Sequence, residues 1–384
     1  MLIHVYNKNI EKIGVLGEES SIIYNRRYDK VDTFQIHTDI TKNKLDILRE
    51  DNLIRLDHDN TLALISYSEK ESKNDGTEII VVKGKETSNL LSRRIIWGRY
   101  YENNTTPYHI KELIERYAIN PSDSKRKIGN LEFRFDESII HSDYEKIRIQ
   151  RTNTNLLEVI QNLCETEGLG FKTVLENNKI VFLLYKGEDK STNQTKNNPV
   201  IFSKSRDNVL EQRHVKDVDN YKNVALVAGQ GEGEDRVTTL VGDESATGWD
   251  RFETFIDARD LDFEGEEDLT LEEYIELLKN RGNSKIKEFE KINSFEAEIS
   301  PYSNLEYRKD FKVGDIVEVT DEEWKVTINT RILEVTEVYE DSDDLRVVFG
   351  SSIPTIHDRL EKVEQEQSKD FGNVNGNGTS EPGL

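Results

Sequence analysis

The stretch VALVAGQGEGEDR, residues 224–236, runs from a series of β-forming residues into three closely spaced glycines, Gly229, Gly231 and Gly233. A strand that leads into glycines is also how a dinucleotide-binding fingerprint begins, in which a pyrophosphate sits on a helix N-terminus. Here the spacing is G-x-G-x-G instead of G-x-G-x-x-G, and the β-branched residues of RVTTLV follow where a helix would have to start. The pattern therefore predicts a hairpin turn that uses glycine at positive φ, between strands over residues 224–228 and 237–241.

The charge of this region also argues against a phosphate, because Glu232, Glu234 and Asp235 would repel it. The 384-residue chain has a formal charge of -23, and residues 231–273 contain 16 Asp and Glu against three Arg and no Lys. Binding to DNA phosphates needs Lys and Arg, which displace counterions, so the composition argues against specific nucleic-acid binding. Two interpretations stay open: a solvated face, or a surface past which DNA slides because like charges repel.

Neither a membrane span nor a signal peptide is predicted. The sequence contains no apolar run of the necessary length, and Met1 leads directly into LIHVYNKNIEKIG without a basic region. Cys164 is the only cysteine, which excludes an intramolecular disulfide and a multi-cysteine zinc site within one chain. Its helical spacing among apolar residues predicts an inert, packed thiol.

The order of the predicted elements indicates an α+β, multidomain chain. Short β-type runs separated by turns fill residues 1–96 and predict a β-barrel or sandwich domain, and residues 97–198 predict a smaller α+β domain. Strands return over residues 199–352 and predict a second β-barrel domain, with an inserted helical segment at about 242–292 whose helix opens at Thr270 with a capping box to Glu273. Residues 353–384 predict a C-terminal helix followed by a flexible tail.

No catalytic or metal-binding motif stands out. The sequence lacks G-x-x-x-x-G-K-[ST], H-E-x-x-H and G-x-S-x-G, and its seven histidines are scattered singly. Asp57, Asp59 and Thr61 match the start of a calcium loop, but Leu62 and Ser68 stand where that loop needs its Gly and its bidentate Glu, so a plain turn is expected. We expect no enzymatic activity, no cofactor and no metal.

The three tryptophans, Trp97, Trp249 and Trp324, lie far apart in the sequence. This spacing predicts partly buried core or interface residues and gives no sign of an aromatic platform for binding carbohydrate.

Four segments together resemble a family of tail proteins of long-tailed phages and prophages of Gram-positive bacteria. They are NYKNVALVAGQGEGEDR at 220–236, VKGKETSNLLSRRII at 82–96, KVGDIVEV at 312–319 and TRILEVTEVYEDSDDLRVVFG at 330–350. The resemblance covers nearly all of residues 1–365, and the glycine-rich hairpin is its most specific element. Members are similar to the hub of contractile-tail baseplates and to the N-terminal part of tail-associated lysins, which include prophage endopeptidase tail proteins.

The resemblance implies a homotrimer in which each chain contributes two tube-protein-like β-barrel domains and two smaller α/β domains. Six barrels would form a ring that matches the hexameric tail tube. The implied function is a structural hub that joins the distal tail tube to the tail tip or baseplate. The implied partners are the tail tube and distal tail proteins, the tape-measure protein, and the tail-tip or receptor-binding proteins.

The implied location is the virion, after assembly in the host cytoplasm. DNA would pass through the ring without specific binding, and Glu232, Glu234 and Asp235 are candidates for facing that lumen. Many relatives carry a wall hydrolase after the hub, whereas a glycine-rich tail is expected here, so peptidase activity is not carried over. Two alternatives stay open: a tail-associated peptidoglycan hydrolase, and a host-surface-binding tail module.

Overall fold

The computed structural model describes residues 1–17, 21–72, 74, 76–262, 269–300, 302–340 and 343–350. The C-terminal helix and tail predicted at 353–384 lie outside these residues.

The N-terminal part of the chain is built from strands, as its short β-type runs predict. Helix α1 (Lys42–Ile47) lies between the fourth and fifth strands, and a 3-10 helix, Thr87–Arg93, follows the seventh. The strands are β1 (Ile3–Tyr6), β2 (Lys12–Leu16), β3 (Ser21–Arg27), β4 (Thr33–Asp39), β5 (Leu53–Leu56), β6 (Ala63–Ser72) and β7 (Glu78–Glu86). β3 and β4 bury every second residue, which is the pattern of a strand with one face on a core.

The middle of the chain mixes helices and strands. Asn155 caps the helix that runs to Glu167, and Gly168 ends it at φ 70°, in the left-handed conformation that glycine adopts readily. The elements are β8 (Arg99–Thr105), α2 (Thr106–Ile114), a π-helical turn (Glu115–Ile119), a 3-10 helix (Ser124–Arg126), β9 (Leu131–Phe135), α3 (Glu137–Ile140), β10 (Lys146–Thr152), α4 (Leu156–Glu167), β11 (Gly170–Glu176) and β12 (Lys179–Tyr185).

Strands dominate again after residue 200, with one long helix among them. That helix begins after Thr270, and the predicted capping box between Thr270 and Glu273 is confirmed. The strands and helix are β13 (Ile201–Phe202), β14 (Val209–Asp217), β15 (Val224–Ala228), β16 (Thr238–Gly242), β17 (Glu253–Asp257), α5 (Leu271–Ile286), β18 (Ile292–Ile299), β19 (Ile316–Asp321), β20 (Val326–Tyr339) and β21 (Asp343–Gly350). The 3-10 helices here are Lys204–Arg206, Gly233–Asp235, Gly248–Asp250 and Lys287–Phe289.

Within the described residues, strands from both ends of the chain form one thirteen-stranded sheet, beside three small sheets. The large sheet runs in the order β14-β18-β21-β20-β3-β4-β7-β6-β5-β1-β2, with β19 paired to β20 and β13 paired to β19. The small sheets are β8-β10, β11-β12-β9 and β16-β15-β17. The fold is therefore mixed α+β with several sheets. The pairing path of the described strands has three ends, β14, β2 and β13, and does not close into a barrel.

The two ends of the chain have the same topology. We call β1 and β3 to β7 the first β unit, and β13, β14 and β18 to β21 the second β unit. The first unit has the order β3-β4-β7-β6-β5-β1 and the second the order β14-β18-β21-β20-β19-β13, and the chain visits the corresponding strands in the same sequence. The units differ in their last pair, because β1 is antiparallel to β5 whereas β13 is parallel to β19.

Each β unit has its own apolar core. One cluster includes Ile22, Phe34 and Val82 in the first unit, and another includes Phe295 and Phe349 in the second. A third cluster packs α2 and α4 against the sheet of β9, β11 and β12, and a fourth packs α5 against β15, β16 and β17.

Candidate assembly surface

The two β units meet where the second half of β20 pairs with β3. Residues 334–339 lie opposite residues 27–22 in an antiparallel ladder, and the Tyr28 amide donates to the Leu333 carbonyl over 3.0 Å. The first half of β20, residues 326–331, pairs with β19. The long strand β20 therefore serves two neighbours, β19 in its own unit and β3 in the other. We call the contact of residues 334–339 with β3 the β20–β3 joint.

A buried arginine holds this joint together. Arg26 of β3 is only 6% exposed, and its guanidinium lies among carboxylates from both units. Its Nε donates to Glu337 Oε1 over 2.9 Å, and its Nη2 lies 2.6 Å from Asp59 Oδ2. Asp32 lies 3.7 Å from Nη1, and the guanidinium stacks on the Tyr24 ring at 3.7 Å. Asp59, which lies in the predicted turn, thus places its carboxylate beside the charge of Arg26.

The electrostatics of Glu337 follow from this setting. Burial by itself raises the pKa of this carboxyl group, but the His58 ring, whose Nε2 lies 3.9 Å from Glu337 Oε2, and the charges of Arg26 and Arg308 outweigh it and hold the pKa below its usual range. Arg308 Nη2 lies 2.7 Å from Glu337 Oε2. Glu337 is therefore ionised at neutral pH and paired with two cations, which is the condition under which a charge can stay buried.

The other face of the joint carries partly exposed polar pairs. Arg27 Nε donates to Glu334 Oε2 over 2.9 Å, and Thr336 Oγ1 donates to Asn25 Oδ1 over 2.9 Å. A slip by one residue would exchange these pairs with the buried face, so the polar side chains favour a single register.

The glycine-rich stretch connects β15 to β16, which pair antiparallel with Ala228 opposite Thr238. Gly231 and Gly233 have φ angles of 103° and 57°, in the region that favours glycine. Gly229 has no positive φ, but a Cβ there would lie 2.4 Å from the Tyr274 hydroxyl. The side chain of Arg236 donates to the carbonyls of Gly229 and Ala228 over 2.7 and 2.9 Å, which ties the connection to its own strand.

The structure places the acidic residues Glu232, Glu234 and Asp235 at the tip of this connection, where all three are exposed. They lie on the small sheet of β15, β16 and β17 and not on the thirteen-stranded sheet. Their orientation toward a lumen stays a prediction.

The small sheet also has an apolar outer face that the sequence did not predict. Leu226 pairs with Leu240 on one side and with Phe255 on the other, and both Leu226 and Phe255 are exposed. Nearby in the sequence, Trp249 is 98% exposed in the single chain, so it is not a core residue, and an interface position for it stays a prediction. The alternation in VALVA was the available signal, since α5 covers only one face of this sheet.

The described part of the chain brings no set of three or more His, Cys, Asp or Glu together as a metal site. His109 is buried and engaged, since its Nδ1 lies 2.8 Å from the Tyr100 hydroxyl and its Nε2 lies 2.9 Å from the Ile147 carbonyl. Burial raises the pKa of the Cys164 thiol well above its ordinary value. In the same residues, helices long and apolar enough to span a bilayer are absent.

Residues 2–351 match the family described as Siphovirus ReqiPepy6 Gp37-like protein. None of the curated proteins compared with the chain matches it. In structure, the chain is similar to the tail protein from Neisseria meningitidis MC58, with a TM-score of 0.56, 13% identity, and coverage of 91% of this chain and 96% of that one.

Two prophage proteins are similar to the same degree. Prophage tail protein gp18 from Listeria monocytogenes EGD-e has a TM-score of 0.55 and 10% identity, over 95% of this chain and 98% of that one. The 43 kDa tail protein of prophage MuSo2 from Shewanella oneidensis has a TM-score of 0.55 and 13% identity, over 91% of this chain and 98% of that one. At these identities the likeness is one of fold.

The predicted resemblance to tail proteins of phages and prophages is confirmed. The chain belongs to the Siphovirus ReqiPepy6 Gp37-like protein family.

Proposed function

We propose that this chain is a structural protein of a phage tail, a trimeric hub that joins the distal tail tube to the tail tip or baseplate. It acts in the virion after assembly in the host cytoplasm, and it acts through its shape in the assembled tail. Its partners are two further copies of itself, the tail tube and distal tail proteins, the tape-measure protein, and the tail-tip or receptor-binding proteins.

One observation carries this proposal: the chain contains two β units of the same strand order, joined edge to edge by the β20–β3 joint. Three such chains supply six equivalent units, the number needed to continue a hexameric tube. In this proposal each unit is a tube-protein-like barrel in the assembled ring. The two smaller α/β regions, built around α4 and α5, lie outside the repeated strands and decorate it.

The buried ion pairs of the joint support a rigid pair of units. Arg26, Glu337 and Asp59 come from both units and are largely withdrawn from water, so separating the units would expose or strand three charges. A ring made of such pairs needs only one further kind of contact, between chains, in order to close.

DNA passes through the proposed ring without specific binding. The exposed acidic tip of Glu232, Glu234 and Asp235 belongs to the α5 region, and we place this region where the tip faces the mouth of that passage and its charge repels phosphate.

Light scattering of the purified protein tests the assembly, followed by negative-stain electron microscopy of the same sample. We expect a trimer, or a monomer that becomes trimeric when tail tube protein is added, with a central opening in end-on views. A dimer that persists at all concentrations would contradict the proposal. Incubation with Gram-positive cell walls tests the hydrolase alternative, and we expect no release of muropeptides.

A further inference from the structure

We propose that neighbouring chains join by a strand pair that repeats the β20–β3 joint, in which residues 67–72 of β6 in one chain lie opposite residues 217–212 of β14 in the next. This inference rests on the proposed ring and identifies its contact between chains.

The first observation is that β6 and β20 are built alike at the point where a second partner joins. Each strand has a bulge, between Ile65 and Tyr67 in β6 and between Ile332 and Glu334 in β20. The residue before the bulge bonds in the same way in both. Ile65 donates to Asn52 and accepts from the Asp51 amide, and Ile332 donates to Asp315 and accepts from the Gly314 amide. Ile65 therefore corresponds to Ile332, and Tyr67 corresponds to Glu334.

The second observation is that the corresponding edges are occupied within the chain in one case and open in the other. Beyond the bulge, β20 pairs with β21 and β3, whereas β6 pairs with β7 alone among the described strands. On the other side of the joint, β3 pairs with β4 and β20, whereas β14 is the end of the described sheet and pairs with β18 alone. The chain thus has one complete joint and both halves of a second.

The third observation sets the register. Phe34 lies opposite Gly84 and Tyr24, and Phe295 lies opposite Phe349 and His214. Since Gly84 and Phe349 are the partners of Ile65 and Ile332, His214 takes the place of Tyr24. Transferring the pairs of the β20–β3 joint then gives these partners between chains: Tyr67 with Asp217, Ser68 with Lys216, Glu69 with Val215, Lys70 with His214, Glu71 with Arg213, and Ser72 with Gln212.

The chemistry of the two edges fits this register. Glu71 and the neighbour's Arg213 become directly opposite charges on the outer face, where both side chains are exposed in the single chain. On the inner face, the neighbour's Lys216 takes the place of Arg26. The surface depression beside Ser68, of about 350 Å³, has Asp46 and Glu50 in its lining together with Arg49 and Lys70. Two carboxylates thus lie near the expected position of that lysine, and one of them, Asp46, already pairs with Arg49 within the chain.

The β6 edge of one chain pairs with the β14 edge of the next. Because the two surfaces differ, the contact is head to tail. Such a contact either closes into a ring or grows into a filament, depending on the rotation at each step. In this proposal each step between chains repeats the geometry of the β20–β3 joint, and covering both edges removes the open strands that would otherwise promote aggregation.

Cysteine pairs test this register in the full-length protein. Four positions on the outer face give two matched double variants, Tyr67→Cys with Asp217→Cys and Glu71→Cys with Arg213→Cys. The same positions give two mismatched ones, Tyr67→Cys with Arg213→Cys and Glu71→Cys with Asp217→Cys. Matched positions fall at non-hydrogen-bonded pairs with Cα atoms about 4.5 Å apart, whereas mismatched positions lie about four residues, or roughly 13 Å, apart along the strands. A disulfide needs Cα atoms closer than about 7 Å.

Six strands separate β6 from β14 in the described sheet, so a disulfide between these positions joins two chains and not one chain to itself. Buried Cys164 stays outside the reaction. After mild oxidation we expect non-reducing gels to show covalent dimers and trimers for both matched variants, with loss of the monomer band, and monomers for both mismatched variants.

The outcomes separate this inference from the proposed function. A trimer in solution that forms no disulfide in the matched variants, or that forms it equally in the mismatched ones, would overturn the strand joint and leave the trimer standing. A chain that stays monomeric even with tube protein present, and forms no disulfide in any variant, would overturn both.

Discussion

Arg26 on β3 and Glu337 on β20 lie 311 positions apart in the sequence, and the Arg26 Nε donates to Glu337 Oε1 over 2.9 Å in the buried seam between the two β units. This contact fixes the geometry of the repeated building block, since it joins one unit to the other at a single register.

Replacing Arg26 with Met should destabilise the protein strongly. The change removes one of the two cations that Glu337 and Asp59 share and leaves only the partly exposed Arg308, and breaking a buried pair costs up to about 3–5 kcal/mol. Urea unfolding measures the loss. The matched control is Arg27→Met, which removes the partly exposed pair with Glu334 and should cost at most about 1 kcal/mol. Equal losses in the two variants would show that burial of the seam is not what matters.

Glu86→Gln should change how stability depends on pH. Burial raises the pKa of Glu86 to about 7, from an ordinary value of 4.5. Between these two values the folded state holds a proton that the unfolded state has lost, so this group's contribution to the free energy of unfolding falls as the pH rises. The total over that interval is about 3 kcal/mol.

The variant lacks this titration, so its stability relative to wild type should improve from pH 5 to pH 8. Burial and the charge of Glu86 both raise the pKa of the neighbouring Asp32. Removing the charge of Glu86 therefore lowers the pKa of Asp32, which also improves the variant's relative stability at higher pH. Urea unfolding of both proteins at several pH values is the measurement. Parallel profiles across this range would contradict the assignment of a buried, neutralised Glu86.

Gly84→Ala should destabilise the first β unit. A Cβ at this position would lie 2.1 Å from the Leu64 carbonyl oxygen and 2.4 Å from the Phe34 ring, so the strand or the ring must move. Overpacking of this kind costs about 1–3 kcal/mol. Thermal unfolding followed by circular dichroism reports the loss. Gly129→Ala is the control, because nothing lies within 4 Å of a Cβ there, and a similar loss in that variant would argue against the steric explanation.

Tyr274→Phe should loosen the glycine-rich connection between β15 and β16. The Tyr274 hydroxyl accepts from the Gln230 amide over 2.8 Å and donates to the Leu261 carbonyl over 3.0 Å, so it ties this connection to α5. Loss of the hydroxyl leaves buried groups unsatisfied, at a cost of about 1–3 kcal/mol. Hydrogen exchange should become faster at Gln230, while the exposed control Tyr302→Phe should leave it unchanged.

Local patterns predicted much of the secondary structure. The capping box at Thr270, the glycine that ends α4 and the alternation of β3 depend on residues within one or two turns, so they can be read from sequence. Strands β2 and β8 carry no such local signal, since their mix of polar and apolar residues has no strong period.

The sequence alone determined where helices begin, where turns need glycine, and that a β-rich part stands at each end of the chain, because those features follow from short-range backbone and side-chain chemistry. Only the tertiary structure decided that the two ends share one sheet, that Arg26 is buried against Glu337, and that Leu226 and Phe255 are exposed. The physical reason is that strand pairing between distant segments depends on which edges and faces meet in space. The charges and apolar residues of one strand do not specify which distant strand will lie beside it.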